Sequence, residues 1–298
     1  LKSFTHHGLM DVAQKTNPVA EPVVGFWRTT RFHISLQNPL VMGIVNATPD
    51  SFSSSDSNFS PADAIHKAQL LLREGADVLD IGGESTRPGA IPLTHEQEWQ
   101  RIEPVLRELL TWQVPLSVDT YHPENMQKSL DLGVDIINDV WALRQTGAQQ
   151  VIATHATCGV CLMHMHGEPQ TMQTLPMQGS SIQPVAEFLK NQAQALQALG
   201  VADERIALDP GVGFGKTVAQ NFELLAHQDQ LLALGYPLLV GWSRKSSIGA
   251  VTGCAVGERM VPSVAAALLA VERGAHVVRV HDVAQTVQAL QVWQAAQV

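Results

Sequence analysis

The sequence predicts an α/β fold, a (β/α)8 TIM barrel whose bottom is closed by an N-terminal β-hairpin. Three observations lead there. Eight short apolar stretches each precede an amphipathic segment of helical period, so one strand-then-helix unit recurs along the chain. Those stretches are apolar on both faces, as strands of a buried parallel sheet are. Polar residues gather at the C-terminal ends of the stretches, where a barrel of this kind builds its active site. The competing fold, a doubly wound open sheet, would use fewer strands and has no place for a hairpin plug.

Taken in order, residues 1–22 read as a flexible polar arm that begins "LKSFTHHGLM" and lacks the apolar core of a signal peptide. Residues 23–298 read as a single barrel domain. The stretch "VVGFWRTTRFHISL" alternates apolar and polar residues around a Thr-Thr pair and predicts the hairpin. Strands are expected at 40–46, 77–83, 114–119, 135–139, 159–165, 205–209, 237–241 and 276–282. Helices are expected at 61–74, 95–111, 123–132, 141–154, 182–199, 218–229, 258–273 and 283–296. In "REGAD", "LDLGVD", "QALGV", "LALGYP" and "ERGAH", a glycine stands just past a helix. Without a Cβ it can take the left-handed conformation that stops the helix and turns the chain into a strand.

Composition narrows the function. With 298 residues and 45% hydrophobic content the chain can bury a sizeable core. Its formal charge of -9 argues against nucleic acid or an anionic membrane as a general partner, because both are bound by basic surfaces. Three cysteines are too few for a disulfide framework and point to a reducing, cytoplasmic setting. No run of about 18 apolar residues suggests a membrane span.

The strand ends carry the chemistry. Asn46, Asp119, Asn138 with Asp139, and Asp209 end four strands, opposite Ser243-Arg244-Lys245 after the seventh and Arg279 with His281 on the eighth. Residues 279 and 281 share a parity and so point the same way, an arrangement suited to an anion such as phosphate; a rim salt bridge is the plainer alternative. Between strands, "GGESTRPGA" offers Thr86 and Arg87 as anion contacts. The Ser-rich loop "NATPDSFSSSDSN" holds Phe52, suited to cover a flat substrate.

Two motifs invite other readings. "DPGVGFGKT" ends like a phosphate-binding P-loop, but Pro210 stands where the first glycine belongs. Its strand-end Asp209 would repel a triphosphate and could instead accept two N–H bonds from an amidine-like heterocycle edge. The default for Lys216 is then a structural ion pair. "HATCGVCLMHMH" resembles a metal motif, yet a strand through it would send Cys161 and His164 to opposite faces. Buried, small apolar cysteines fit better.

Jointly, "MGIVNATPDSFS", "DIGGESTRPGA", "SVDTYHP", "IINDV", "LMHMHG", "LDPGVGFGKT", "SRKS" and "RVHDV" resemble the dihydropteroate synthase family over about residues 39–298. The resemblance implies a transferase of folate biosynthesis, usually a homodimer and the target of sulfonamides. Such an enzyme condenses p-aminobenzoate with (7,8-dihydropterin-6-yl)methyl diphosphate, using Mg2+, to give 7,8-dihydropteroate and pyrophosphate. By matching position, Asp119, Asn138, Met163, Asp209, Phe214 and Lys245 are expected around the pterin. Asn46, Thr86, Arg87, Arg279 and His281 are expected around the diphosphate, with Asn46 also a metal ligand. Phe52, Thr86, Arg87, Pro88 and Ser246 fall on the p-aminobenzoate side. Asp119, Lys245, Arg279 and His281 are the catalytic candidates. Two positions depart from the family pattern: Ser54 stands where loop 1 usually has Asp, with Asp56 two residues on, and Ser247 replaces a bulky apolar residue. Two alternatives share the pterin site, a pterin-binding methyltransferase and a catalytically impaired paralogue.

Overall fold

The computed structural model describes residues 25–48, 60–84, 91–167, 172 and 174–297. The expected N-terminal arm lies outside them. Strands β1 (Phe26–Arg28) and β2 (His33–Ser35) pair antiparallel as the predicted hairpin. Eight parallel strands follow: β3 (Leu40–Asn46), β4 (Val78–Gly82), β5 (Leu116–Asp119), β6 (Ile136–Asp139), β7 (Gly159–Met163), β8 (Ile206–Asp209), β9 (Leu239–Val240) and β10 (Val277–Val280). They neighbour one another in the order β8-β7-β6-β5-β4-β3-β10-β9. A parallel bridge between Leu208 and Leu238, beside a Leu208 N–H donating to Pro237 O at 2.9 Å, joins β8 to the β9 segment and closes the barrel.

Alternation along each strand sorts the side chains into two cores. Val41, Val45, Leu79, Ile81, Val118, Val160, Leu208 and Val278 pack outward against the helices. Leu40, Met42, Val78, Ile136, Cys161, Ala207, Leu239 and Val277 point inward and fill the lower barrel. Trp27 of β1, fully buried, completes that inner layer, and its Nε1 donates to Arg205 O at 3.0 Å. The hairpin is clamped to the barrel by Arg31, whose Nη2 donates to the buried Asp135 carboxylate at 2.6 Å.

Outside the strands lie α1 (Pro61–Arg73), α2 (His95–Leu109), α3 (Pro123–Leu132), α4 (Ala148–Thr154), α5 (Ile182–Ala198), α6 (Val218–Ala226), α7 (Gln228–Leu232), α8 (Ser246–Thr252), α9 (Met260–Glu272) and α10 (Val283–Ala295). Thr94 and Thr217 start α2 and α6 with capping boxes closed by Gln97 and Gln220. The five glycines expected after helices, Gly75, Gly133, Gly200, Gly235 and Gly274, all have φ between 85° and 101°.

Three elements differ from expectation. Helix α4 begins at Ala148 rather than 141, because Ala142 and Leu143 take positive φ in a turn held by Asp139. The Asp139 carboxylate accepts the N–H of Trp141 and of Leu143, both at 2.7 Å. The segment expected as one helix over 218–229 breaks at His227 into α6 and α7. Helix α8 was not expected, since "SSIGAVT" combines glycine, serine and β-branched residues of weak helix propensity.

Trp27→Ala should remove the inner plug and cost about 3–5 kcal/mol of stability in urea unfolding. The turnover of the molecules that remain folded should be unchanged, because the plug lies at the end of the barrel away from the polar strand tips.

Candidate active site

The inward parity that fills the lower barrel with apolar side chains delivers polar ones at the top. Arg279 of β10 sits at the centre. Its Nε donates to Asp80 Oδ2 at 2.6 Å and its Nη2 to Asp119 Oδ2 at 2.7 Å. Asn138 Nδ2 also reaches Asp80 Oδ2, at 3.3 Å. Two carboxylates therefore share one guanidinium. Burial opposes the charge on Arg279, but Asp80 and Asp119 more than offset it and hold its pKa above the usual value. Burial pushes Asp119 up to about 7; Arg279 works against that rise and the neighbouring Asp80 adds to it.

Asp80 went unread in the sequence. Its signal is a single carboxylate inside the apolar strand "VLDIG", two residues before the strand end and on the inward parity. Asp139, by contrast, does not face the site. Adjacent residues on a strand point to opposite faces, so Asp139 turns outward and holds the turn after β6, leaving Asn138 alone in the barrel.

Two strands from Arg279, Asp209 ends β8. Its Oδ1 accepts the Gly211 N–H at 2.7 Å, and burial raises its pKa while that bond and Lys245 lower it. The Lys245 ammonium lies 4.1 Å from the centre of the Phe214 ring. Burial lowers the Lys245 pKa to about 8, with Asp209 opposing the shift. Phe214 and Met163 belong to one apolar cluster with Val140, Met165 and Met172, against which Tyr121 and Trp141 pack. A flat heterocycle entering the mouth would meet a carboxylate edge on one side and this wall on its face.

The loop 209–217 explains its own glycines. Gly211 has φ 67°, and a Cβ there would stand 1.8 Å from His164 O; one at Gly215 would stand 2.2 Å from His166 O. The glycines let the loop press against the chain after β7 and do not build a phosphate cradle. Lys216 corrects the expectation of an ion pair. It is buried and donates to three backbone carbonyls, Gly211 O at 2.8 Å, Phe214 O at 3.1 Å and His164 O at 3.2 Å. Burial lowers its pKa to about 7, with Asp209 opposing.

At the rim, the His281 N–H donates to Ser243 Oγ at 3.2 Å, and His281 Nδ1 lies 3.0 Å from the same hydroxyl. Arg244 turns away to a bidentate pair with Asp282, at 2.6 and 3.1 Å. Ser246 opens α8, exposed, whereas Ser247 is buried and accepts Asn221 Nδ2 at 2.8 Å. Asn46 stands exposed at the tip of β3. Phe52, Ser54, Asp56, Thr86, Arg87 and Pro88 lie outside the described residues. The stem of the 85–92 segment is described: Glu84 accepts Leu93 N–H at 3.0 Å and Tyr121 Oη–H at 3.0 Å. Cys161 faces the lower barrel, and Cys158 lies against Arg205. Among the described residues no three His, Cys, Asp or Glu are grouped to hold a metal. No described helix is long and apolar enough to cross a membrane.

The chain is similar to known proteins over most of its length. Residues 42–281 match the family of pterin binding enzymes. Dihydropteroate synthase of Neisseria meningitidis serogroup B is 51% identical over 275 residues, 90% of this chain and 96% of that protein. Among solved structures, Burkholderia cenocepacia dihydropteroate synthase complexed with 7,8-dihydropteroate aligns with a TM-score of 0.83 and 46% identity, covering 93% of this chain and 98% of the other. The Xanthomonas albilineans enzyme with 4-aminobenzoic acid aligns at 0.85 and 46%, covering 91% and 98%. The Yersinia pestis enzyme with a sulfonamide aligns at 0.85 and 40%, covering 90% and 98%. A (β/α)8 barrel with an arginine shared by two buried carboxylates at its mouth, alike in sequence and fold to these enzymes over nearly its whole length, belongs to the dihydropteroate synthase family of pterin binding enzymes.

Proposed function

We propose that the mouth of the barrel divides the dihydropteroate synthase reaction between two sides. This enzyme class joins p-aminobenzoate to (7,8-dihydropterin-6-yl)methyl diphosphate and releases pyrophosphate. The observation that carries the division is the Asp80–Arg279–Asp119 unit: a cation for the leaving group and a carboxylate for the ring meet at one point. Asp209 reads the amidine edge of the pterin, Lys245 and Asn138 hold its remaining polar atoms, and Met163 and Phe214 cover its face. Arg279 and His281 take the diphosphate. Thr86, Arg87, Pro88, Phe52 and Ser246 belong to the diphosphate and p-aminobenzoate side.

The C–O bond breaks early, so positive charge develops on the pterin methylene and the Asp119 carboxylate stabilises it. The neutral amine of p-aminobenzoate forms the C–N bond as the C–O bond breaks. The acidic anilinium proton then passes to water or the departing pyrophosphate, so no strong general base is needed. The protein positions the two substrates and excludes water.

Mg2+ fits this donor set. A hard cation carried on a diphosphate needs only one or two protein oxygens, and the exposed Asn46 amide supplies one at the mouth. When bound, the ion neutralises charge on the departing pyrophosphate. A homodimer is supported by exposed apolar side chains on and between α8 and α9: Val251 at 58%, Val256 at 52%, Val261 at 69% and Leu269 at 47% exposure. Three free thiols support a cytoplasmic setting.

Mixing the protein with both substrates and Mg2+ should release pyrophosphate only when p-aminobenzoate is present; no release would defeat the reading. Arg279→Ala should lose most turnover, about a hundredfold or more, with an unchanged circular dichroism spectrum. Near-wild-type turnover there would remove Arg279 from the mechanism. Asp119 is protonated below its pKa and charged above it, so kcat/KM for the pterin substrate should rise as pH increases through about 7. Asp119→Asn should abolish that limb. The sign for stability is the reverse. Between the ordinary value of 3.8 and about 7 the folded protein keeps a proton that the unfolded chain has released. Ionising Asp119 therefore costs stability as pH rises through that window, and Asp119→Asn should flatten the slope measured by urea unfolding.

A further inference from the structure

We propose that Asp80 is a positioning residue: it is the permanent counter-ion that keeps Arg279 in place while Asp119 turns to the substrate. This rests on the assignment of Arg279 and Asp119 to the reaction. The two carboxylates on Arg279 are not equivalent. The Asp80 side chain is fully buried, while that of Asp119 retains 13% exposure at a strand tip. Asp80 lies mid-strand, in register with Ile44 of β3 and Ser117 of β5, below the mouth. Its Oδ2 is gripped twice, by Arg279 Nε at 2.6 Å and by Asn138 Nδ2 at 3.3 Å. Its Oδ1 is buried and has no hydrogen-bond partner among the described residues. A buried carboxylate with one oxygen unpartnered is costly unless a cation holds it, so Asp80 and Arg279 depend on each other.

The geometry separates two tasks on one guanidinium. Nε is committed to a carboxylate that no ligand at the mouth can reach. Nη2 is committed to one that a ligand can reach. When Asp119 swings its charge toward the pterin, Arg279 keeps its orientation through Asp80, and its Nη2 becomes free to donate to the diphosphate. Without the Asp80 charge, Arg279 and Asp119 form a one-to-one pair, and both are withheld from the substrate.

Asp80→Asn keeps shape and removes charge. Its kcat should fall about tenfold or more while KM for p-aminobenzoate stays within about twofold. The acid limb of kcat/KM should also move to lower pH. The charges acting on Asp119 are Arg279 on β10, Asp80 on β4, Lys245 just before α8, Glu98 on α2 and, from the outer face of β6, Asp139, and the variant removes one of the repulsive ones. Wild-type kcat with an unmoved limb in folded D80N would overturn the proposal. If Arg279→Ala is inactive while D80N is normal, only this inference fails. If Arg279→Ala is itself active, the assignment of Arg279 fails.

A second measurement needs no change at position 80. In protein labelled with 15N-arginine, the Arg279 Nε–H resonance is identified by its loss in Arg279→Lys. It should remain protected from solvent exchange when the pterin diphosphate is added. Exchange accelerated to that of a free guanidinium would overturn the proposal even if D80N fails to fold.

Discussion

One guanidinium between two buried carboxylates governs the upper half of this barrel. Arg279 cannot leave Asp80 and Asp119 without stranding charge in a medium that solvates it poorly, and they cannot leave it. The unit carries one negative charge in excess. Burial raises the pKa of Asp119 to about 7, with Arg279 opposing that rise and Asp80 adding to it. Strand pairing fixes where the three meet, since β4, β5 and β10 approach the barrel interior from different sides of β3.

The lower half does the opposite work with apolar side chains. Trp27, Met42, Val78, Ile136 and Cys161 fill the barrel below the unit, so the site above has a solid floor. The same alternation that makes this floor also lifts Asp119, Asn138, Asp209 and Arg279 to the rim. Fold and chemistry are thus two ends of the same strands.

Much of this was legible in the residues. Repeated strand-helix units and post-helical glycines announce the barrel, and the shared parity of residues 279 and 281 points Arg279 and His281 the same way. What escaped had physical reasons. Strand-end polarity alone groups Asp139 with Asn138, but parity puts it outside, where its carboxylate accepts two N–H groups. Lys216 was expected beside a carboxylate, because a sequence does not display the carbonyls that converge from Gly211, Phe214 and His164. Asp80 hid in an apolar strand, and its partner lies 199 residues away. The P-loop-like ending of "DPGVGFGKT" resolves likewise: its glycines serve backbone contact with His164 and His166 rather than phosphate.

The central claim is that Asp119 is buried in a unit where two carboxylates share one guanidinium. It is tested most directly by 13C NMR of the aspartate carboxyls in the free protein, titrated from acid to alkaline pH. The resonance that disappears in Asp119→Asn should titrate at about 7. Titration of that resonance near the ordinary aspartate value of about 4 would contradict the account.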